Sequence, residues 1–405
     1  MNPKHTCHLK FFALFLAVSI LFCGCSPKDT VSKAVPEPTL SDEEHFTRMV
    51  EELFYETVTS SGLTMHSTLS DPKAYGITDF PETLGDYNPE SIRANYAELE
   101  EEFQELLTID RDRLSSDLQI DYDILLEYMN TRREGARFYL YDYPFSSVSG
   151  IQVELPILLA EYPFRNRKDV EHYLSLLADI DNYYEQLLEY TQAQTEAGIF
   201  LSDLTIDGVL DSCQVYLDAP EKGMMAETFQ SRLDTLTDLT DQERTAYLSQ
   251  NETILKNDFT NAYTLLTEGL SSLKGHLDLP IGTSDLPDGK AYYEYLLKAS
   301  TFTSYPNPEA LQEAIKERMQ TEFKLAYDLL YEQPRLLARI SSFQPPIQDP
   351  MEALADLQKK LLDDFPPLPA CSYEVRMLPE ALEDFSSPAF YLSPPIDTPD
   401  ENFIY

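Results

Sequence analysis

Of the six histidines in 405 residues, His5 and His8 fall in an N-terminal segment with the form of a signal peptide, leaving His45, His66, His172 and His276 to hold a metal or move a proton. A zinc hydrolase needs two imidazoles on one helix face, as His-Glu-x-x-His spacing supplies, and no two of these four lie within five residues of each other. Asp42 with His45, and Asp169 with His172, have the i, i+3 spacing that brings a carboxylate to an imidazole. A di-metal bundle would also need inward carboxylates from further helices. The expectation is therefore two solvent-facing helix histidines, no metal ligand and no assigned catalytic residue. No Gly-x-Ser-x-Gly elbow, phosphate-cradling glycine loop or Cys-x-x-Cys pair occurs, and only 13 glycines are available for such loops. The 70 carboxylates are too many to single out an acid–base pair. More distinctive is LPDGKAYYEYLLKAS, where Pro287, Asp288 and Gly289 make a turn and Lys290, Tyr292, Tyr293 and Tyr295 follow at a helix start. Tyrosines clustered with one lysine suit a polar-lined substrate groove. They equally suit core packing with hydroxyls at the rim.

Helical periodicity dominates the elements that must carry these residues. SDEEHFTRMVEELFYETV opens with Ser41 and Glu44 in capping-box spacing and sets Phe46, Met49, Val50, Leu53, Phe54 and Val58 on one face. NPESIRANYAELEEEFQELL begins with Asn88 as cap and Pro89 in the first turn. Further helices are expected over residues 168–197, from a second capping box at Thr240 and Glu243 to about Leu273, and over 309–332 and 350–364. Residues 141–163 read as a connecting region with short extended or helical pieces. Beyond Phe365 the chain turns proline-rich, with β-type runs at 373–377, 389–392 and 403–405. The fold class is mainly α, a large helical body with a small β patch at its C-terminal end.

Lys4 and Lys10 precede an apolar run over residues 11–22 that is too short to span a bilayer comfortably and has the form of a secretory signal. It is followed by Cys23, Gly24 and Cys25, which resembles a bacterial lipobox. Acylation at Cys25 would give stable anchoring, since two or more buried chains succeed where one is marginal. An ordinary signal peptide with a free cysteine is the alternative. Residues 26–40, with Pro27, Pro36 and Pro38 among polar spacers, read as a tether. The organisation expected is a signal peptide at 1–24, a tether at 25–40 and one helical domain at 41–405. Such a protein is exported and held on the outer face of the bacterial cytoplasmic membrane. Removing residues 1–24 leaves 28 basic against 70 acidic residues, a net charge near −42. That charge repels phosphates, which argues against nucleic-acid partners and against attraction to anionic headgroups as the anchor. Cys213 and Cys371 then remain, as a disulfide or as two buried thiols.

Four stretches, YPFSSVSGIQVELPILLAEYPFRNRKDVEHYLSLL, GIFLSDLTIDGVLDSC, LPDGKAYYEYLLK and SSPAFYLSPPIDTPDENFIY, together resemble the bacterial domain-of-unknown-function family 885. The resemblance implies a mostly helical fold related to the thermolysin-like (gluzincin) zinc peptidases, often exported as lipoproteins. It also implies a His-Glu-x-x-Pro-Gly-His type helix shortly after the segment matching residues 386–405, where a metal-bound water and a glutamate base would act. No residue of this sequence takes those roles, so zinc is expected only with that further part. The chain is expected to correspond to the N-terminal larger part of such a peptidase and to be catalytically incompetent as given. The alternatives are a non-catalytic lipoprotein binding peptides or envelope components, and one half of a split peptidase completed by a C-terminal partner chain. By the same resemblance, the extended piece at 389–392 lies near an edge where a peptide would add as a strand. Tyr391 then joins Lys290, Tyr292 and Tyr293 as a candidate substrate-binding residue.

Overall fold

The computed structural model describes residues 40–218, 220–301, 303–362, 364–366, 373–377, 389, 391–399 and 402–404. The expected signal segment, Cys25, the tether and Cys371 lie outside the described residues. Among the described residues no helix is long and apolar enough to cross a membrane.

Helices make up almost all of the body. In chain order they are α1 (Asp42–Val58), α2 (Gly62–Thr68), α3 (Pro89–Leu106), α4 (Ser116–Glu134), α5 (Ile151–Ala160), α6 (Arg167–Ala178), α7 (Ile180–Glu196) and α8 (Asp203–Leu217). Next come α9 (Met224–Asp234), α10 (Asp241–Ile254), α11 (Thr260–Ser272), α12 (Gly289–Thr301), α13 (Pro308–Glu332), α14 (Leu336–Ser341) and α15 (Pro350–Leu361). The strands are β1 (Tyr373–Val375), β2 (Tyr391–Leu392) and β3 (Asn402–Ile404). Both expected capping boxes form, Ser41 with Glu44 and Thr240 with Glu243, and each satisfies helix-end N–H groups that would otherwise lack partners. Asn88 caps α3 with Pro89 in its first turn.

Three of the expected spans change once tertiary contacts act. The helical span expected over 168–197 is two helices parted at Asp179, whose carboxylate accepts the Leu84 N–H at 2.8 Å and an Asn182 amide N–H at 3.1 Å. The helix from Thr240 is interrupted by a π-turn over Leu255–Phe259, which buries both Leu255 and Phe259. The connecting region contains a full helix, α5, with Pro156 inside it. A proline at that position has no N–H to offer the Gln152 carbonyl one turn earlier. The buried Tyr263 hydroxyl, 2.6 Å away, donates to that carbonyl instead, which explains how an interior helix tolerates the break.

The main core lies among α5 to α11, where Tyr173, Tyr184, Tyr190, Phe229, Phe259 and Tyr263 are fully buried. Helices α7 and α11 approach so closely that a Cβ at Gly269 would fall 2.7 Å from the Leu188 side chain. A second cluster joins α1, α3 and α4 through Phe46, Phe103, Leu106, Tyr122 and Met129. A third gathers Val58, Met65, Leu69 and Ile77 with Ile396 from the C-terminal region. Helices α13, α14 and α15 differ from all of these, since none has a buried residue.

The small sheet has the order β1-β3-β2, with β1 parallel and β2 antiparallel to the central β3. Tyr373 pairs with Asn402 and Val375 with Ile404 on one side, and Tyr391 pairs with Ile404 on the other. The mainly α body ending in a β patch is therefore the observed architecture.

Candidate functional site

The C-terminal sheet is held to the helical body by three sets of polar contacts. The Ile396 N–H donates to the Thr68 carbonyl at 3.0 Å, at the end of α2. The Asp397 carboxylate accepts the N–H groups of Ser70 and Asp71, each at 2.8 Å, so one side chain closes two backbone donors beyond that helix. Arg376, just past β1, reaches Glu161 at 2.9 Å and Glu374 at 3.3 Å. Its backbone N–H extends the β1–β3 ladder to the Ile404 carbonyl at 2.8 Å.

The loop carrying Glu161 is itself rigidly supported. Arg232 donates to the carbonyls of Leu159 and Tyr162 at 2.8 and 2.7 Å, placing a cation at the C-terminal end of α5 where the helix dipole favours one. Its guanidinium also lies over the rings of Phe164 and Tyr173. His66 stacks on Tyr162 with ring centroids 3.5 Å apart and donates from Nε2 to the Pro163 carbonyl at 3.0 Å. Burial first, and then the Arg165 guanidinium beside it, push this imidazole down to about 3, so it stays neutral and uncharged at any physiological pH.

With its support fixed in this way, β2 forms one margin of the sheet and pairs on one side only among the described residues. Tyr391 is 50% exposed there, and its hydroxyl donates to the Asn402 side-chain carbonyl. An edge of this kind offers main-chain donors and acceptors to an extended peptide.

The other candidate residues sit elsewhere. Helix α12 packs on α4 and on the short 3-10 turn Thr283–Asp285. Of the turn that precedes it, Asp288 takes the left-handed conformation, with φ 49°, and Gly289 serves a different need. A Cβ there would fall 1.9 Å from the Thr283 carbonyl oxygen. Lys290 is exposed and pairs with Glu309 at 3.3 Å. Tyr292 is half-buried among Phe138, Tyr141 and Tyr295 and donates to the Tyr141 carbonyl at 3.2 Å, and burial pushes its phenol up to about 12. Tyr293 is exposed. Lys290, Tyr292 and Tyr293 thus share one helix start, and Tyr391 belongs to a separate surface.

The four histidines are dispersed and individually engaged. His45 donates to Glu105 at 2.8 Å, His172 faces Glu82 at 3.1 Å beneath Phe80, and His276 stacks on Phe200. Asp42 meets the Asp110 N–H and Arg113, and Asp169 accepts the N–H groups of Arg165 and Asn166, so neither i, i+3 aspartate serves its histidine. His172 is therefore no simple surface residue. Among the described residues no histidine belongs to a group of three ligating side chains close enough to share an ion. The residues described do not fit a zinc centre. Cys213 is a buried free thiol that burial pushes up to about 12, which leaves it unreactive.

One cluster escaped the sequence reading. Glu56 of α1 meets Glu98 and Glu102 of α3, with carboxylate oxygens all within 4.8 Å of one another. Burial, followed by the charges of Glu56, Glu98 and Glu105, raises Glu102 to about 8. An all-oxygen set of this kind would suit a hard cation such as calcium and not zinc. Glu98 and Glu102 at i, i+4 with like charge were the local signal. Glu56 could join them only through the packing of α1 on α3.

The family model described as "Bacterial protein of unknown function (DUF885)" matches residues 72–405. No curated protein matches the chain. A crystal structure of a protein from Colwellia psychrerythraea, described as a "putative lipoprotein", superposes with a TM-score of 0.73 at 16% sequence identity. The match covers 90% of this chain and 66% of that one, so the chain spans just under two thirds of the relative's length. At that identity the likeness establishes the fold alone.

Proposed function

Because the chain belongs to the bacterial family of unknown function DUF885, we propose that it is an exported, lipid-anchored helical protein that takes an extended peptide along the edge of β2. The observation that carries this reading is the pinned sheet itself. Three separate anchors hold a strand margin against the body while Tyr391 stays half-exposed on it. A preorganised edge spares a peptide much of the cost of ordering its docking partner.

On this reading the protein resembles a zinc peptidase in fold and does no metal-assisted hydrolysis with the residues described, whose histidines are separately committed. Anchoring through an acylated Cys25 accords with the lipoprotein description of the Colwellia psychrerythraea relative. Lys290, Tyr292 and Tyr293 are candidate contacts for a longer ligand and not parts of the same edge. A second reading, one half of a split peptidase, is favoured by the uncovered apolar surface of α13 to α15.

The test uses the protein from residue 26 onward and a pool of peptides from unfolded casein. Hydrogen exchange at residues 391–392 is expected to slow on peptide addition, and Tyr391→Ala is expected to weaken binding at least fivefold. Metal analysis is expected to find no stoichiometric zinc. Unchanged exchange at the strand margin would overturn the binding reading, and chelator-sensitive cleavage with bound zinc would overturn the non-hydrolytic one.

A further inference from the structure

Arg165, in the loop between α5 and α6, is a cation without a counter-ion among the described residues. Its Nη1 lies 3.3 Å from His66 Nε2, the nitrogen that already donates to the Pro163 carbonyl at 3.0 Å. Two donors therefore face each other, and an uncharged imidazole neutralises nothing. Arg165 Nη2 is buried and has no hydrogen-bond partner. Asp169, whose carboxylate feels the Arg165 charge, is already taken. One of its oxygens accepts the N–H groups of Arg165 and Asn166 and the Asn166 side-chain amide, at 2.7, 3.1 and 3.2 Å. Glu161, in the same loop, is held by Arg376. In a chain with 70 acidic residues, a half-buried guanidinium left without a carboxylate asks for a cause.

A second cation deepens the imbalance. The charges of Arg165 and Arg232 both act on the His66 ring. Arg232 commits Nη1 to the Leu159 and Tyr162 carbonyls and Nε to the Thr228 carbonyl, and its Nη2 is again buried without a partner. The locality thus offers positive charge and donors still to be matched. Their complement is a planar anion with two acceptor oxygens, which a guanidinium fork takes in parallel. Arg165 as a residue is only half-buried, so an incoming group can reach its head.

The position of this cation beside the sheet selects the anion. Leu392 ends β2, and four residues on the Ile396 N–H bonds the Thr68 carbonyl at the end of α2. His66, which lies against Arg165, is two positions before Thr68 in the same helix. Four residues of extended chain reach roughly 13 Å, so a peptide laid along β2 and continuing past Leu392 arrives at this end of α2. Resting on the peptide reading above, we propose that Arg165 receives the terminal α-carboxylate of that peptide, which runs parallel to β2 with its last residue beside His66. Two carboxylate oxygens then replace the facing N–H as partners of the guanidinium. The net charge of −40 disfavours ligands rich in acidic side chains, whereas an α-carboxylate brings one negative charge to a place prepared for it.

The test uses the protein from residue 26 onward and three forms of an alanine-rich hexapeptide: the free acid, the C-terminal amide, and an amide with glutamate as its last residue. Titration calorimetry at constant salt is expected to show the free acid binding about tenfold tighter than the amide, the difference a charge-assisted pair makes. In Arg165→Gln the acid is expected to fall to the amide's affinity while the amide's own affinity is unchanged. Equal affinities for acid and amide in the wild type, no binding of either, or an acid preference that survives in Arg165→Gln would overturn the proposal. Tight binding of the glutamate-ended amide would overturn it too, by assigning the site to acidic side chains. An Arg165→Gln protein that loses the amide as well, with a lowered urea midpoint, would make Arg165 a structural residue and overturn it. Hydrogen exchange at residues 391–392 separates the two readings. Slowing by acid and amide alike, with equal affinities, leaves the peptide on the strand and removes its terminal receptor, whereas no slowing by either removes the strand reading and this one with it.

Discussion

Replacing Glu102 by glutamine isolates the electrostatic cost of bringing three carboxylates together. In the folded protein Glu102 is raised from 4.5 to about 8 by burial first and then by Glu56, Glu98 and Glu105. The phenol of Tyr128, itself raised by burial, feels the same carboxylate. Since the folded state holds this proton more tightly than the unfolded chain, the contribution to stability is fully present below about 4.5 and is lost as pH rises through about 8. A shift of that size corresponds to roughly 5 kcal/mol at about 1.4 kcal/mol per pH unit. Residual hydration and salt screening reduce what a variant recovers, so Glu102→Gln is expected to stabilise by about 2 kcal/mol at pH 8. At pH 5.5 the folded wild type already carries the proton, and the gain should fall below half that value. The sequence contains no tryptophan, so urea unfolding followed by circular dichroism at 222 nm is the suitable assay. Equal midpoints at pH 8, or a less stable variant, would show that Glu102 is ionised and compensated, and the argument from burial and like charge would fail.

Tyr263→Phe removes the hydroxyl that satisfies the Gln152 carbonyl opposite Pro156 and should cost about 1–3 kcal/mol in the same unfolding assay. Gly289→Ala sets a methyl group against the Thr283 backbone and should displace the start of α12, lowering stability by about 1–3 kcal/mol with a change in tyrosine fluorescence. Asp397→Ala frees the N–H groups of Ser70 and Asp71, so their amide exchange and that of Ile396 should quicken at least tenfold while the global midpoint moves little. Cys25→Ser should move the protein from the membrane fraction to the soluble fraction of fractionated cells, because the acyl anchor cannot form.

Helix starts were legible because their causes are local. Ser41 with Glu44 and Thr240 with Glu243 satisfy donors within one turn, and Asn88 with Pro89 preorganises the next, so residue order suffices to read them. The strand runs near residues 373, 391 and 403 were legible from aromatic and β-branched composition between prolines. Their pairing was not, since a parallel β1–β3 ladder and the Asp397 anchor join residues far apart in the chain. Asp179 gave no local sign of dividing a helix, because the Leu84 N–H that recruits its carboxylate comes from a distant loop. The grouping of Lys290, Tyr292 and Tyr293 was readable from one helix turn, and their separation from Tyr391 was a matter of which helices pack where.

By itself, then, the order of residues determined a helical body, its start signals, a β patch at the end and the lack of closely spaced imidazoles, all of which depend on neighbours within a few positions. Only the tertiary structure decided that His66 is neutral, that three glutamates from two helices crowd together, and that α13 stands uncovered. Those properties depend on burial and on charges brought together across the fold, and neither exists until distant segments have packed.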